Sequence, residues 1–214
     1  MKRTTKQAYE QIARRYAGDS PWEEDPVLRS RCRQCLIDAL PGPRVLEVGC
    51  GPGTDSNAFA EAGLEVIATD ICETFLEIVR ERFPHIQCEQ GDMRDLKYAP
   101  GCFDGIYGFA CLVHLPREEV ASTIAGFRRL LRQGGVLFLS MIRSEKHRDY
   151  IIEDWGGEVD NPMLFTCWEE EALEDVLRSA GFQEVQFHHF SSPYYEKMPR
   201  LLERAVSAYQ VLAK

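Results

Sequence analysis

RVLEVGCGPGT, residues 44–54, decides the fold. Val45, Leu46 and Val48 form a short apolar run after Pro41-Gly42-Pro43, the pattern of a buried strand. Gly49, Gly51 and Gly53 follow at alternate positions, and a helix is expected from Asp55. A strand, a tight glycine turn and a helix bring backbone close to a ligand, because no Cβ intervenes. The free amides at the helix start then point at whatever is bound. Taken alone, such a turn is also an ordinary connection between two elements.

Three acids sharpen the reading. Glu47 lies two residues before Gly49. Asp70 ends the next apolar run, Leu64 to Asp70, at a distance from Gly49 that fits one helix and one strand. An acid at the tip of a second strand is placed to accept both hydroxyls of a ribose. Asp92 follows a third run, in Gly91-Asp92-Met93. The dinucleotide fingerprint G-x-G-x-x-G is not met, because Thr54 stands at its third glycine. Asp55 is expected at the helix N-cap, and with Glu47 it would repel a pyrophosphate. A ligand with ribose and adenine but no phosphate escapes that repulsion. S-adenosylmethionine is such a ligand, and its sulfonium and ammonium groups favour acids.

These residues resemble a class I S-adenosylmethionine-dependent methyltransferase of the ubiquinone/menaquinone type. The resemblance rests on Glu47 to Thr54, Asp70-Ile71, Gly91-Asp92-Met93, Phe103-Asp104-Gly105-Ile106 with His114-Leu115-Pro116, and Leu130 to Gly135. It spans roughly residues 40–190. It implies a Rossmann-like α/β fold: a mostly parallel seven-stranded sheet in the order 3-2-1-4-5-7-6, the last strand antiparallel, with helices on both faces. It implies cofactor contacts from Glu47, Gly49, Cys50, Gly51, Asp70 and Ile71. Asp92 would accept from the adenine amino group beside Met93, an adaptable apolar wall. The N-terminal segment, residues 1–40, would cap the site, with Tyr16 at the methionine end and Tyr9 a weaker candidate. Arg14 or Arg15 is a candidate for the cofactor carboxylate, although a surface position suits both.

The chain has 214 residues, enough for one domain with a full core. Its net charge of −9 disfavours nucleic acid, which rewards basic surface. No apolar run reaches the length of a membrane span, and the basic N-terminus has no apolar signal core. The 8 cysteines are therefore read as free thiols in a reducing cytoplasm. Cys32-x-x-Cys35 has no second pair to complete a zinc site, so no metal is expected.

Helices are expected over residues 1–17, 26–39, 55–62, 74–82, 117–132 and 169–180. Gln133-Gly134-Gly135 should cap the fifth of these. Further strands are expected over 86–90, 103–110, 136–141 and 182–190. A last strand over 208–213 should follow a short helix. Ligands bind beyond the carboxyl ends of parallel strands, which puts Phe109 and Ala110 at the sulfonium end. His114 follows on the loop. It is either a general base or a loop histidine shaping the pocket. His188 and His189 should point to opposite faces of a strand. Arg143 to Cys167 has neither helical nor strand period, yet it is rich in aromatic residues. Long connectors of this kind are usually functional, and residues 143–168 are read as a lid over an acceptor site.

The expected activity is methyl transfer by direct displacement to an oxygen or nitrogen of a small-molecule acceptor. Such a transfer needs alignment and water exclusion more than a catalytic constellation. The alternatives are a non-catalytic binder of S-adenosylmethionine or S-adenosylhomocysteine, favoured if Trp155 or Phe165 plugs the pocket, and a nicotinamide-dependent oxidoreductase. The oligomeric state stands open between monomer and homodimer.

Overall fold

The computed structural model describes residues 4–19, 26–144, 149–189 and 206–214. Two helices come first, α1 (Thr5–Asp19) and α2 (Pro26–Ala39). Strands and helices then alternate: β1 (Arg44–Val48), α3 (Thr54–Glu61), β2 (Glu65–Asp70), α4 (Glu73–Arg82), β3 (Gln87–Gln90) and β4 (Phe103–Phe109). They continue with α5 (Arg117–Leu130), β5 (Leu131–Ser144), a ribbon of β6 (Asp149–Ile152) and β7 (Met163–Thr166), α6 (Glu170–Ser179), β8 (Val185–His188) and β9 (Val206–Ala213).

The main sheet runs β3-β2-β1-β4-β5-β9-β8. With the ribbon set aside, this is the expected order. β1 to β5 pair in parallel, and β9 runs antiparallel to both β5 and β8. The register fixes the working edge. Val48 is level with Thr69 and Glu47 with Tyr107, so Gly49 emerges beside Asp70 and Phe109. Phe109 is in turn level with Ser140. One row of strand ends thus carries the glycine turn, the second acid and the end of β4.

Both faces of the sheet are covered, which is why β1 and β4 read as continuous apolar runs. Leu46 and Ile106 join the cluster of α5 and α6, through Ile124, Phe127 and Leu173. Val45 and Tyr107 point the other way, to Leu28, Cys32 and Leu36 of α2 and Phe59 of α3. The alternation follows from the period of two in a strand. Cys32 is therefore core, and the described cysteines are free. No metal-holding cluster and no helix able to cross a membrane occur among the described residues.

Several local expectations are corrected. Gln133-Gly134-Gly135 does not cap α5. The helix passes straight into β5 through an extended Leu131, and a register shift between Phe103 and Gly105 absorbs the extra residues. The segment 143–167 is not aperiodic, because it holds β5's end and the antiparallel ribbon. Helix α1 starts at Thr5 behind a reciprocal cap: Gln7 N donates to Thr4 Oγ1 and Thr4 N donates to Gln7 Oε1. His189 meets Glu170 at 3.2 Å, a surface pair. The expected helix before the last strand lies outside the described residues, as do residues 1–3 and Phe190.

Candidate cofactor and acceptor site

A cavity of about 780 Å³ opens at the carboxyl edge of the sheet. It lies in the upper part of the range for small-molecule sites, about 300–1,000 Å³. Tyr16, Glu47, Gly49, Cys50, Gly51, Asp70, Ile71, Asp92, Met93, Phe109, Ala110 and His114 all line it. The structure therefore brings these twelve residues to one place.

The glycine turn needs its glycines. Gly49, Gly51 and Gly53 have φ of 65°, 53° and 83°, the left-handed region that favours glycine. A Cβ on Gly49 would also stand 2.6 Å from Cys111 Cβ. Gly53, not Asp55, is the N-cap of α3. Asp55 sits in the first turn, fully buried, and accepts from Arg29 and Arg33 of α2. Its charge is thus answered from α2 and does not repel an anion at the turn. That part of the case against a pyrophosphate falls.

Asp70 is 8% exposed and accepts from the amides of Gly51 at 2.9 Å and Cys72 at 2.8 Å. Burial raises its pKa to about 6, against the lowering effect of the backbone amides. An ionised carboxylate accepts about four hydrogen bonds, so these amides leave it accepting capacity for a ribose hydroxyl. Glu47 is buried and accepts from Ser56 Oγ. Burial, then the nearby Asp55, pushes it up to about 8. At neutral pH it is a protonated acid and not the anion expected. Asp92 accepts from its near neighbour Arg94, whose guanidinium holds it below the usual carboxylate range. It still faces the cavity, with part of its accepting capacity used.

The cap and the ribbon close the other half. Tyr9 of α1 lies edge-on to Tyr16 at 5.9 Å and to His114 at 5.5 Å. His114 lies on the short turn Leu112–His114 and packs on Phe165 of β7 at 4.8 Å. Its Nδ1 lies 3.0 Å from the carbonyl of Leu164, which can only accept, so Nδ1 carries the hydrogen. Nε2 is then the acceptor for the Tyr9 hydroxyl, 2.9 Å away. Burial lowers the imidazole to about 4 and holds the Tyr9 phenol above its ordinary value. His114 is therefore neutral at pH 7. We expect its ring ¹⁵N shifts to stay those of the Nδ1–H tautomer down to pH 5. A ring titrating between pH 6 and 7 would refute this state.

Helix α1 reaches both halves of the cavity. Glu10 accepts from the amides of Glu73 and Thr74, which cap α4 beside Asp70. Asn161 of the ribbon loop donates to the carbonyl of Ala8. Arg14 pairs with Glu77 and Glu81, and Arg15 with Glu158, so neither turns into the cavity. Arg29, Ser140 and the ribbon residues Ile151, Glu153, Trp155 and Leu164 also line it. The ribbon residues fall within the segment 143–168 that the sequence marked as a lid, and Tyr9 lies on the stripe of Tyr16. Arg29 carries no local signal, since its partner Asp55 is 26 residues on.

The glycine turn, the free acceptor positions of Asp70 and a cavity with room beyond them fit S-adenosylmethionine. Comparison with known proteins agrees. Residues 45–135 match the family model described as methyltransferase domain. A demethylmenaquinone methyltransferase of Renibacterium salmoninarum is 34% identical over 116 residues, 51% of this chain and 47% of that protein. A ubiquinone biosynthesis O-methyltransferase of Xanthomonas campestris is 36% identical over 109 residues, 49% of this chain and 45% of that protein. The chain spans about half the length of these curated relatives. A crystal structure of the 1,6-didemethyltoxoflavin-N1-methyltransferase of Burkholderia thailandensis superposes with a TM-score of 0.72 at 19% identity, covering 97% of this chain and 87% of that one. Its description includes bound 1,6-didemethyltoxoflavin and S-adenosylhomocysteine. Residues 45–135 thus match the model of a methyltransferase domain, and the chain has the Rossmann-like fold of the class I methyltransferases.

Proposed function

We propose that this chain is an S-adenosylmethionine-dependent methyltransferase that methylates an oxygen or nitrogen of a small-molecule acceptor. The observation that carries the reading is a single cavity lined by the glycine turn, Asp70 and the aromatic ribbon together, with Phe109 and His114 also in its wall. The three named relatives and neighbours act, by their names, on small molecules. Trp155 and Phe165 line the cavity and do not fill it, which favours an enzyme over a binding protein.

S-adenosylmethionine, when bound, supplies a methyl group already activated on a sulfonium. The chain's own work is alignment and exclusion of water, which can supply much of a displacement's acceleration. Glu47, Gly49, Cys50, Gly51, Asp70, Ile71, Asp92, Met93, Phe109, Ala110 and Tyr16 are the residues that would hold the cofactor. A hydroxyl or N–H acceptor must also lose a proton. His114, whose Nε2 accepts from the Tyr9 hydroxyl, is the candidate base in the cavity wall, and burial makes it a weak one. In this reading residues 1–214 are a single domain, residues 1–40 the cap and 143–168 the lid. The protein works in the cytoplasm as a monomer or homodimer, without nucleic acid, membrane or metal.

Calorimetric titration of the purified chain tests this. Micromolar binding of S-adenosylmethionine and S-adenosylhomocysteine is expected, with none of a nicotinamide dinucleotide. Binding of the dinucleotide alone would replace the reading with an oxidoreductase. Binding of the adenosyl ligands without transfer to any acceptor in a labelled-methyl screen would favour the binding protein.

A further inference from the structure

Five rings from four parts of the chain line the cavity: Tyr9 of α1, Phe75 of α4, His114, and Trp155 and Phe165 of the ribbon. They touch as one connected set, and they meet steeply. Tyr9 meets Phe75, His114 and Trp155 at 54°, 74° and 83°. His114 meets Trp155 and Phe165 at 60° and 69°, and Trp155 meets Phe165 at 65°. Where Phe165 does stack, at 7°, its partner is Tyr150, which is not among the lining residues. No two of the five rings therefore make the parallel slot that suits a flat acceptor. Rings inclined to one another present themselves to a compact group from several directions, and a cation is drawn to such faces within about 6 Å of their centroids. Among the described residues, guanidiniums lie over Phe109, Trp168 and Phe182, and none lies over these five.

The same wall offers an anion but no strong base. Glu153, just after β6, lines the cavity and pairs with no cation among the described residues. Lys6 of α1 also lines it and lies over none of the five rings. His114 spends Nε2 on the Tyr9 hydroxyl, and burial lowers it to about 4. Glu47 keeps its proton at neutral pH. A hydroxyl acceptor needs a proton taken from it, and these groups take one poorly. A tertiary amine has none to lose. Its nitrogen lone pair attacks the methyl carbon while the carbon–sulfur bond breaks and that bond's electron pair stays on sulfur. The single positive charge passes from sulfur to nitrogen. A cation is thus present before, during and after the transfer, and ring faces attract it throughout.

We propose that the ring-lined wall is the acceptor's cation site: it takes a tertiary amine and holds the quaternary ammonium that methylation makes of it. The inference rests on the methyltransferase reading and narrows its oxygen-or-nitrogen acceptor to nitrogen.

Calorimetry on the full chain loaded with S-adenosylhomocysteine, which has no charge on sulfur, tests it. The probes are choline and 3,3-dimethylbutan-1-ol, which share a shape and differ in charge. Choline is expected to bind at least about tenfold tighter than the alcohol. Trp155→Leu keeps an apolar wall and removes a ring face. It should lower choline affinity about fivefold and leave the alcohol within about twofold. Glu153→Gln should lower choline affinity about threefold and leave the alcohol unchanged. Both variants should bind S-adenosylhomocysteine as the parent does. Equal binding of the two probes, or no binding of choline, would overturn the proposal. So would a choline preference that Trp155→Leu leaves intact, which would place the cation elsewhere. Phenol binding more tightly than choline would give the site to a flat acceptor instead. If Trp155→Leu does not fold, the parent's preference and the exposed Glu153→Gln change decide the matter. A parent that does not bind S-adenosylhomocysteine would remove the methyltransferase reading, and the proposal with it.

Discussion

Asp70→Ala should weaken binding of S-adenosylhomocysteine by about 3 kcal/mol, roughly 100-fold in Kd. Two losses combine. The carboxylate's remaining acceptor positions are the ones that would take the ribose hydroxyls. Its occupied positions hold the amides of Gly51 and Cys72, which fix the glycine turn against the start of α4. Removing the group frees two buried donors and loosens the surface on which the cofactor would lie. Asp70→Asn separates the terms. Its amide oxygen can keep one backbone bond, but its NH2 cannot accept from a hydroxyl, so a large loss is expected here too. The pH dependence has a defined sign. Asp70 is raised to about 6, so affinity should fall as pH drops through 6 and the carboxylate is protonated. Titration of the parent and both variants at pH 5 and pH 7.5 checks all three statements. Unchanged affinity in Asp70→Ala would mean that the ribose binds elsewhere.

Asp70 was legible in the sequence for a physical reason. Its position depends on local order alone: one helix and one strand must return the chain to the edge where Gly49 leaves it. The sheet order, by contrast, followed from the family resemblance and not from any residue pattern. Contacts between distant segments were not legible. Asp55 looks like an N-cap because a short acid after a glycine turn usually is one. The arginines of α2 that claim it instead are 22 and 26 residues earlier. The hydrogen bond between Tyr9 and His114 joins residues 105 apart. The ribbon hid its period because Tyr150 is buried while its neighbours Asp149 and Ile151 are exposed, a pattern only four residues long. Glu47 was placed correctly but given the wrong charge. Sequence position shows that an acid lies near the turn, and only burial shows that it keeps its proton.

That proton makes Glu47 the source of the largest expected stability effect. The carboxyl is raised from 4.5 to about 8, chiefly by burial and then by Asp55. Below pH 4.5 it is protonated in both the folded and the unfolded chain. Between 4.5 and 8 the unfolded chain ionises while the folded one holds its proton, so stability falls as pH rises. Above 8 the loss is complete, on the order of 4 kcal/mol. Glu47→Gln keeps the shape and removes the ionisation. At pH 8 its Tm should exceed the parent's by roughly 10 °C, and at pH 4.5 the two should agree closely. Asp70, raised from 3.8 to about 6, adds a second loss that both proteins share and that is finished by pH 6. The difference between them from pH 6 to 8 therefore belongs to Glu47. Thermal denaturation of both proteins at pH 4.5, 6 and 8 reads it directly. A parent no less stable relative to Glu47→Gln at pH 8 than at pH 4.5 would show that Glu47 is ionised in the fold.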